Sequence, residues 1–270
     1  MDLKRVTSAL LGFPLVIAVI LLGNKYVIDM VLAIVTLISL NEYYNAFENK
    51  QHKPIKWIGY LCAVLIAFIH FIPTDKLFYY IGLSIPVLIT ILFTELIIKD
   101  LKISVTDLAI TFLGILYVVL FIMFIPLLAG TEDGKILIWY AIFAAWGTDV
   151  FAYVIGKTLK LGKHKFSKIS PNKSIEGCIG GLIGAVVLSL VFTLCVNKGL
   201  NFGISYIKIL IISAILSIIG QFGDFSASSI KRYAEIKDFS NLIPGHGGLL
   251  DRIDSLIFIA PFAYILLILI

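Results

Sequence analysis

Apolar residues along this chain of 270 residues form long runs that are separated by short polar segments. A helix that crosses a lipid bilayer needs about 20 mostly apolar residues. Nine runs approach that length, and each predicts one membrane-spanning helix. They are Val6–Leu22, Tyr26–Phe47, Ile55–Ile72, Leu77–Ile98, Val105–Ala129, Ile136–Gly156, Gly177–Val196, Ile207–Ile230 and Asp251–Ile270. The pattern therefore predicts an all-α integral membrane protein, a polytopic bundle of about nine transmembrane helices.

The positions of the basic residues predict an orientation for this bundle. Lys and Arg are enriched in the cytoplasmic loops of membrane proteins. With nine spans, 17 of the 22 basic residues fall on the side of the N-terminus and 5 on the other side. We therefore expect a multi-pass protein of the cell membrane with its N-terminus in the cytoplasm. Residues 1–130 are expected to carry about five spans, and residues 131–270 about four spans together with the candidate catalytic groups.

The composition agrees with this assignment. Of all residues, 60% are hydrophobic and 14% are charged, whereas a soluble domain has about 25% charged residues. A soluble fold would lack the polar side chains needed to cover so much apolar surface. The net charge of +5 at pH 7 is then explained by basic loops that face an anionic membrane leaflet. We therefore expect a bilayer as partner and no nucleic acid.

The start of the seventh predicted span is rich in glycine. Gly177 and Gly181, and likewise Gly180 and Gly184, have the G-x-x-x-G spacing. This spacing predicts that another helix packs closely against the span, because small residues let two helix backbones approach. The alternative is a helix start that is kept open for a ligand.

Four aspartates lie within or at the ends of the predicted spans, where a charge is costly and usually functional. They are Asp149, Asp224, Asp251 and Asp254. On the eighth predicted helix, Asp224, Ser228 and Lys231 fall on one face, because they are spaced i, i+4 and i+7. Arg232 follows at the same end. This end of the helix therefore combines a carboxylate, a hydroxyl group and two cations.

A glycine-rich segment, Pro244–Gly248, separates the eighth helix from the ninth. It is too rich in glycine to be helical, so its backbone amides are available to a ligand. Asp251 and Asp254 follow as i, i+3 neighbours in the first turn of the ninth helix, where a negative charge is favourable. Arg252 lies between them in sequence and on another face of the helix.

Asp224 and Asp251, if they lie close together, provide two hard oxygen ligands for Mg²⁺. This ion takes few carboxylates and completes its shell with waters and substrate phosphates, and the nearby Lys and Arg residues suit phosphate oxygens. These groups are appropriate for nucleotidyl or phosphoryl transfer. Structural ion pairs with Lys231 or Arg252 are the alternative for the two aspartates.

The same residues allow other functions. A cation-coupled membrane transporter would use Asp149 and Asp224 as an intramembrane ion site. A lipid kinase is a third interpretation.

Three segments resemble the phosphatidate cytidylyltransferase (CDP-diacylglycerol synthase) family. The 27 residues from Ser228 to Asp254 resemble the family signature without a departure. Ser170–Gly177 resembles its S-P-x-K-[ST]-x-E-G element, with mild changes at Asn172 and Ser174, where many bacterial members have Lys and Thr. Trp146–Tyr153 is similar to its membrane-embedded aspartate element, although Val150 stands where a small hydroxylated residue is common. The resemblance covers the C-terminal half, and the first five spans share only their hydrophobicity with the family.

This resemblance implies transfer of CMP from CTP to phosphatidate, which gives CDP-diacylglycerol and pyrophosphate in phospholipid biosynthesis, with Mg²⁺ as cofactor and a second cation as an option. The catalytic residues are then expected to be Asp224, Asp251, Lys231 and His246. The substrate-binding residues are expected to be Lys173, Ser228, Arg232, Lys237, Gly247, Gly248 and Arg252. The expected metal ligands are Asp224, Asp251, Asp254 and Asp149.

Some of these roles have structural alternatives. Asp254 can stabilise the N-terminus of its helix, and His246 can shape the glycine turn or contact the nucleotide. CTP is a cytosolic substrate, so the active site is expected to face the cytoplasm. A homodimer is one option for the assembly.

Overall fold

The computed structural model describes residues 3–100, 102–158, 169–171 and 173–269. Two residues named above, Asn172 and Ile270, lie outside these ranges. The helices are α1 (Leu3–Leu22), α2 (Lys25–Glu48), α3 (Lys56–Leu65), α4 (Leu77–Ile98), α5 (Val105–Gly114), α6 (Phe124–Ala129), α7 (Gly134–Ile142), α8 (Thr148–Thr158), α9 (Ile175–Leu200), α10 (Tyr206–Tyr233) and α11 (Leu250–Leu267). One isolated β-bridge joins Ile243 and Gly247.

Six helical stretches within the described ranges are long and apolar enough to cross a membrane. They are Lys25–Glu48, Leu77–Ile98, Val105–Ala129, Gly134–Lys157, Ile175–Leu200 and Tyr206–Tyr233. Two further apolar helices, Gly12–Leu22 and Lys56–Phe71, are shorter, and α11 has 18 residues. Each of the nine predicted runs therefore corresponds to a helix, which confirms the all-α polytopic membrane fold.

Two of these stretches change their winding partway along. A π-helical segment, Ile115–Leu120, follows α5, and a second one, Phe143–Gly147, joins α7 to α8. Such π-turns occur frequently at functional sites. The second segment ends directly before Thr148 and Asp149, the first two residues of α8.

The chain divides into two compact units. Unit 1 comprises Met1–Gly130 and Tyr233–Arg252, and unit 2 comprises Thr131–Arg232 and Ile253–Ile270. The segment between α10 and α11 therefore belongs with the N-terminal helices.

The core of unit 1 is built around α2. Tyr43 and Tyr44 are completely buried, and glycines of the neighbouring helices lie against them. A Cβ atom added to Gly59 of α3 would lie 2.3 Å from the Tyr44 hydroxyl oxygen, and one added to Gly114 of α5 would lie 2.8 Å from both tyrosine rings. The absence of a side chain at Gly59 and Gly114 therefore lets the two tyrosine side chains pack directly against α3 and α5.

The segment Tyr233–Arg252 is attached to α2 and to the loop after it. The Lys50 ammonium lies 2.5 Å from the Glu235 carboxylate, which lowers the pKa of Glu235 through the hydrogen bond and the opposite charge. The ring Nε2 of His52 lies 2.9 Å from the Tyr233 hydroxyl. These contacts fix the start of the segment within unit 1.

In unit 2, α8 and α9 pack through the glycines of α9. A Cβ atom on Gly180 would lie 2.6 Å from the Ile155 side chain, and one on Gly181 would lie 2.6 Å from the Thr148 carbonyl oxygen. The predicted close helix packing at the G-x-x-x-G positions is therefore confirmed.

Helix α10 lies against α8 and against the main part of α11 in unit 2. The hydroxyl groups of Thr148 and Ser217 are 2.6 Å apart, and a Cβ atom on Gly223 would lie 2.6 Å from the Asp254 carbonyl oxygen. The helices that carry Asp149, Asp224 and Asp254 are thus held at short distances by hydroxyl groups and glycine.

Candidate active site

Unit 2 contains a cavity of about 640 Å³ between α8 and the start of α9. Its walls are formed by Thr148, Asp149, Ala152, Tyr153, Gly156, Lys157, Pro171, Lys173, Ser174, Gly177, Cys178 and Gln221. A Cβ atom added to Gly177 would lie 3.1 Å from the Ala152 carbonyl oxygen, so α9 packs closely against α8 at this position. This glycine therefore serves both helix packing and the wall of the cavity.

Lys173 is the centre of the charged groups in unit 2. Its ammonium group forms an ion pair with Asp224 and lies 4.7 Å from the centre of the Phe225 ring. The Ser228 hydroxyl is 3.5 Å from the Asp224 carboxylate, at the limit of a hydrogen bond. Asp224 thus forms an ion pair with Lys173, which lies in another segment of the chain.

The electrostatic surroundings of Lys173 contain charges of both signs. Burial lowers the pKa of Lys173, whereas the carboxylates of Asp149 and Asp254 oppose this effect, and the positive charge of Lys231 adds to it. The structure therefore brings two bases and three acids of the predicted site within electrostatic range of one another in unit 2.

The local sequence explains why Lys173 is placed here. Ser174 is the N-cap residue of α9, and its hydroxyl oxygen accepts a hydrogen bond of 3.1 Å from the Gly177 amide. Serine at this position stabilises the first turn of a helix. Lys173 therefore stands directly before a helix N-terminus, which itself favours bound anions.

Arg232 ties the end of α10 to the same region. Its Nε donates a hydrogen bond of 3.2 Å to the Ile169 carbonyl oxygen, and Arg232 is otherwise an exposed residue. The contact joins the end of α10 to Ile169, four residues before Lys173.

The glycine-rich segment of unit 1 forms a tight turn. The His246 amide donates a hydrogen bond of 2.9 Å to the Ile243 carbonyl oxygen, and Gly245 has a φ of 77°. Pro244 at the second position and a glycine with positive φ at the third are typical of a type II turn. The segment is therefore non-helical, as its composition predicts.

Asp251 closes this segment onto the start of α11. Its side chain is 7% exposed, and its Oδ2 accepts hydrogen bonds of 2.8 Å from the Phe239 amide and 2.9 Å from the Gly248 amide. A Cβ atom on Gly247 would lie 3.0 Å from the same oxygen. Asp251 thus shapes the loop whatever further role it has.

Glu42 is a residue of this region that sequence reasoning missed. It lies on α2 with 3% exposure, and it accepts hydrogen bonds from the Ser240 hydroxyl, the Leu249 amide and the Leu250 amide. The only signal in the sequence is an acidic residue inside an apolar run. Its partners lie 198 to 208 positions away along the chain, which no local pattern reveals.

The predicted site residues divide between the two units. Unit 2 contains Asp149, Lys173, Asp224, Ser228, Lys231, Arg232 and Asp254, and unit 1 contains Lys237, His246, Gly247, Gly248, Asp251 and Arg252. Lys237 and Arg252 are exposed.

The acidic residues of unit 2 can be compared with the needs of Mg²⁺. Within the part of the chain that the structure describes, no group of three His, Cys, Asp or Glu side chains is arranged to hold a metal ion. Mg²⁺ requires only one or two carboxylates when waters and substrate phosphates complete its shell. Metal binding by Asp149, Asp224 and Asp254 therefore stays a prediction, in which waters and nucleotide phosphates would complete the shell.

Comparisons with known proteins give a consistent result. The model of the cytidylyltransferase family matches residues 3–270. A protein of Staphylococcus haemolyticus (strain JCSC1435) named phosphatidate cytidylyltransferase is 38% identical over 179 residues, 66% of either chain. Proteins with the same name are 42% identical in Bacillus subtilis (strain 168), over 50% of this chain and 49% of the relative, and 39% identical in Staphylococcus aureus (strain COL), over 62% of each. The matched region thus spans just under two thirds of the first relative and about half of the second.

Proposed function

We propose that this chain, which belongs to the cytidylyltransferase family, transfers a cytidylyl group from CTP to phosphatidate and forms CDP-diacylglycerol and pyrophosphate. The observation that carries the proposal is the Lys173–Asp224 ion pair beside a cavity that Lys173 and Asp149 help to line. The family and the names of its relatives favour cytidylyl transfer over ion-coupled transport or a lipid kinase activity.

This reaction requires neutralisation of negative charge more than it requires a strong general base. A phosphomonoester has a second pKa near 6, so phosphatidate is largely a dianion at neutral pH. One of its oxygens attacks the α-phosphorus of CTP. The bond between this phosphorus and the oxygen that bridges to the β-phosphate breaks, and its electron pair leaves with pyrophosphate. Attack brings two negatively charged groups together, and departure places negative charge on the pyrophosphate oxygen, so the site must neutralise charge on the phosphate oxygens.

The basic residues of unit 2 are suited to that task. Lys173, Lys231 and Arg232 would bind phosphate oxygens, because charge-assisted hydrogen bonds to phosphate are strong. Asp224 orients the Lys173 ammonium through their ion pair. The α9 N-terminus next to Lys173 adds a positive dipole end.

Mg²⁺, when bound, would supply further neutralisation of the triphosphate and of the departing pyrophosphate. Asp149, Asp224 and Asp254 are the residues of unit 2 that would hold it. Metal ligation by Asp251 and a second cation stay predictions of the sequence. So do the contacts of His246, Lys237 and Arg252 with substrate.

We place the reaction at the cytoplasmic face of a multi-pass membrane protein. The distribution of 17 basic residues on one side and 5 on the other supports this orientation, and CTP is soluble in the cytosol. Phosphatidate then enters from the bilayer. A homodimer stays a prediction, which the mass of the purified protein in detergent will test.

The purified protein in liposomes that contain phosphatidate, supplied with labelled CTP, tests the proposal. A labelled product that extracts into organic solvent is expected with Mg²⁺ and not with a chelator. Lys173→Met should lower the rate by roughly 100-fold, as removal of one charge-stabilising donor does. Lys198→Met is the matched control, because Lys198 is exposed in the last turn of α9, at the end of that helix far from Lys173.

Absence of lipid-soluble cytidylyl product from folded protein refutes the proposal. Labelled phosphate transfer from ATP to diacylglycerol in the same liposomes would instead identify a lipid kinase.

A further inference from the structure

Glu42 is a carboxylate buried within α2, and its surroundings explain how it is tolerated there. A buried charge is unfavourable unless hydrogen bonds or an opposite charge compensate it. The Glu42 Oε1 accepts 2.6 Å from the Ser240 hydroxyl and 3.0 Å from the Leu249 amide, and Oε2 accepts 2.7 Å from the Leu250 amide. All three donors belong to one segment of unit 1, so Glu42 is directed at that segment alone.

The Leu249 and Leu250 amides are among those that the start of α11 leaves without an acceptor in the helix. The first amides of a helix have no partner within the helix, and an N-cap side chain normally accepts from one of them. The residue before α11 is Leu249, whose side chain has no acceptor. Glu42, which lies on another helix, therefore accepts hydrogen bonds from the start of α11 in place of an N-cap side chain. Its negative charge is also favourable at the positive end of the helix dipole.

The Glu42 carboxylate lies so close to the backbone of Gly248 that only glycine fits at this position. A Cβ atom on Gly248 would lie 2.6 Å from the Glu42 Oε2, so any side chain at this position would push the carboxylate away. The Gly248 amide meanwhile donates to Asp251. Three consecutive amides are thus divided between two carboxylates, with Gly248 on Asp251 and Leu249 and Leu250 on Glu42.

We infer that Glu42 is a positioning residue for Asp251. It fixes the start of α11 against α2, and Asp251 is the second residue of α11, so the direction of the Asp251 carboxylate depends on Glu42. The inference rests on the proposed function insofar as Asp251 takes part in cytidylyl transfer. Glu42 itself touches no substrate in this scheme.

Glu42→Gln tests the inference with almost no change of volume. The carboxamide keeps one acceptor oxygen and replaces the other with an NH₂ group. This donor would then face a backbone amide, which is also a donor, so that hydrogen bond is lost. We expect kcat to fall roughly 10- to 100-fold, as loss of a partner that orients an active-site group does, with the KM for CTP changed less than about twofold. Hydrogen exchange at the Leu249 and Leu250 amides should accelerate, while exchange in the other helices stays at the wild-type rate.

Glu48→Gln is the matched control. Glu48 lies on the same helix, pairs with Lys56 at 2.7 Å and is remote from α11 in the hydrogen-bond pattern, so its variant should keep both the wild-type kcat and the wild-type exchange. Ser240→Ala removes one of the three donors and should lower kcat less than Glu42→Gln does. It decides the question if Glu42→Gln does not fold.

A wild-type kcat together with wild-type exchange at Leu249 and Leu250 in Glu42→Gln would overturn the inference. Faster exchange throughout the protein would also overturn it, because it would assign Glu42 to general stability. A wild-type protein that is folded but makes no cytidylyl product would count against the proposed function instead. In that case the exchange rates at Leu249 and Leu250 still decide whether Glu42 holds the start of α11.

Discussion

The contact between α8 and α9 leads to a sharp prediction at Gly181. A Cβ atom there would lie 2.6 Å from the Thr148 carbonyl oxygen and 3.1 Å from the Ala152 Cβ. The nearest obstacle belongs to the backbone, so no change of rotamer can relieve the clash. Gly181→Ala therefore forces α8 away from α9, and Thr148 and Asp149 move with it.

The size of the effect follows from the geometry. Inserting a methylene-sized group into a packed interior costs about 1–3 kcal/mol. A change of 1 kcal/mol shifts the unfolding midpoint of a protein of 150–250 residues by roughly 2–4 °C. We therefore expect Gly181→Ala to lower the thermal midpoint in detergent by roughly 2–12 °C. Cytidylyl transfer per folded molecule should fall as well, because Asp149 lines the cavity.

Gly199→Ala provides the control on the same helix. No atom lies within 4 Å of a Cβ atom added to Gly199, so the variant should have an unchanged or slightly higher midpoint, since alanine favours helix over glycine. Equal midpoints and equal activities for the two variants would show that α8 and α9 do not meet at Gly181. The account of how Asp149 is positioned would then be wrong.

Three further predictions concern charge, metal and topology. Asp251→Asn should abolish turnover while the folded protein remains extractable, and near-wild-type activity would exclude Asp251 as a ligand. Burial lowers the pKa of Lys173 below its ordinary value of 10.5, so the protonated form, and with it the activity, should be lost as the pH rises through this lowered pKa. Lys173→Arg, which stays protonated, should move that loss to higher pH, and an unchanged pH profile would contradict the role of Lys173. Single cysteines at positions 135 and 237, in place of Lys135 and Lys237, should react with an impermeant reagent from outside and from inside respectively, and the reverse pattern would invert the proposed orientation.

Helix positions were predictable because hydrophobicity in a membrane is a local property of the sequence. The predicted run Leu77–Ile98 coincides with α4 at both ends, and Tyr26–Phe47 differs from α2 by one residue at each end. Membrane spans need a fixed length of apolar residues, so composition alone marks their limits. The π-helical segments left no such mark, because their winding depends on how the neighbouring helices pack.

The candidate site was predictable only where its residues are close in sequence. The face shared by Asp224 and Ser228 follows from helical spacing, and the glycine turn before α11 follows from composition. The pairing of Lys173 with Asp224 joins segments about 50 positions apart, and Glu42 meets α11 from 208 positions away. Such contacts are set by the tertiary fold, and a single sequence contains no local signal for them.

The acidic residues of this protein differ in what compensates their charge, and this difference predicts how each one behaves. Asp251 and Glu42 are held by backbone amides, which cannot leave without opening the loop before α11. Asp224 is held by the Lys173 side chain, which can turn to a phosphate while its backbone stays in place. Substitution of Asp251 or Glu42 should therefore change the loop as well as the chemistry. Substitution of Asp224 should change the chemistry and leave the loop as it is, because its partners are side chains and not backbone amides of that loop.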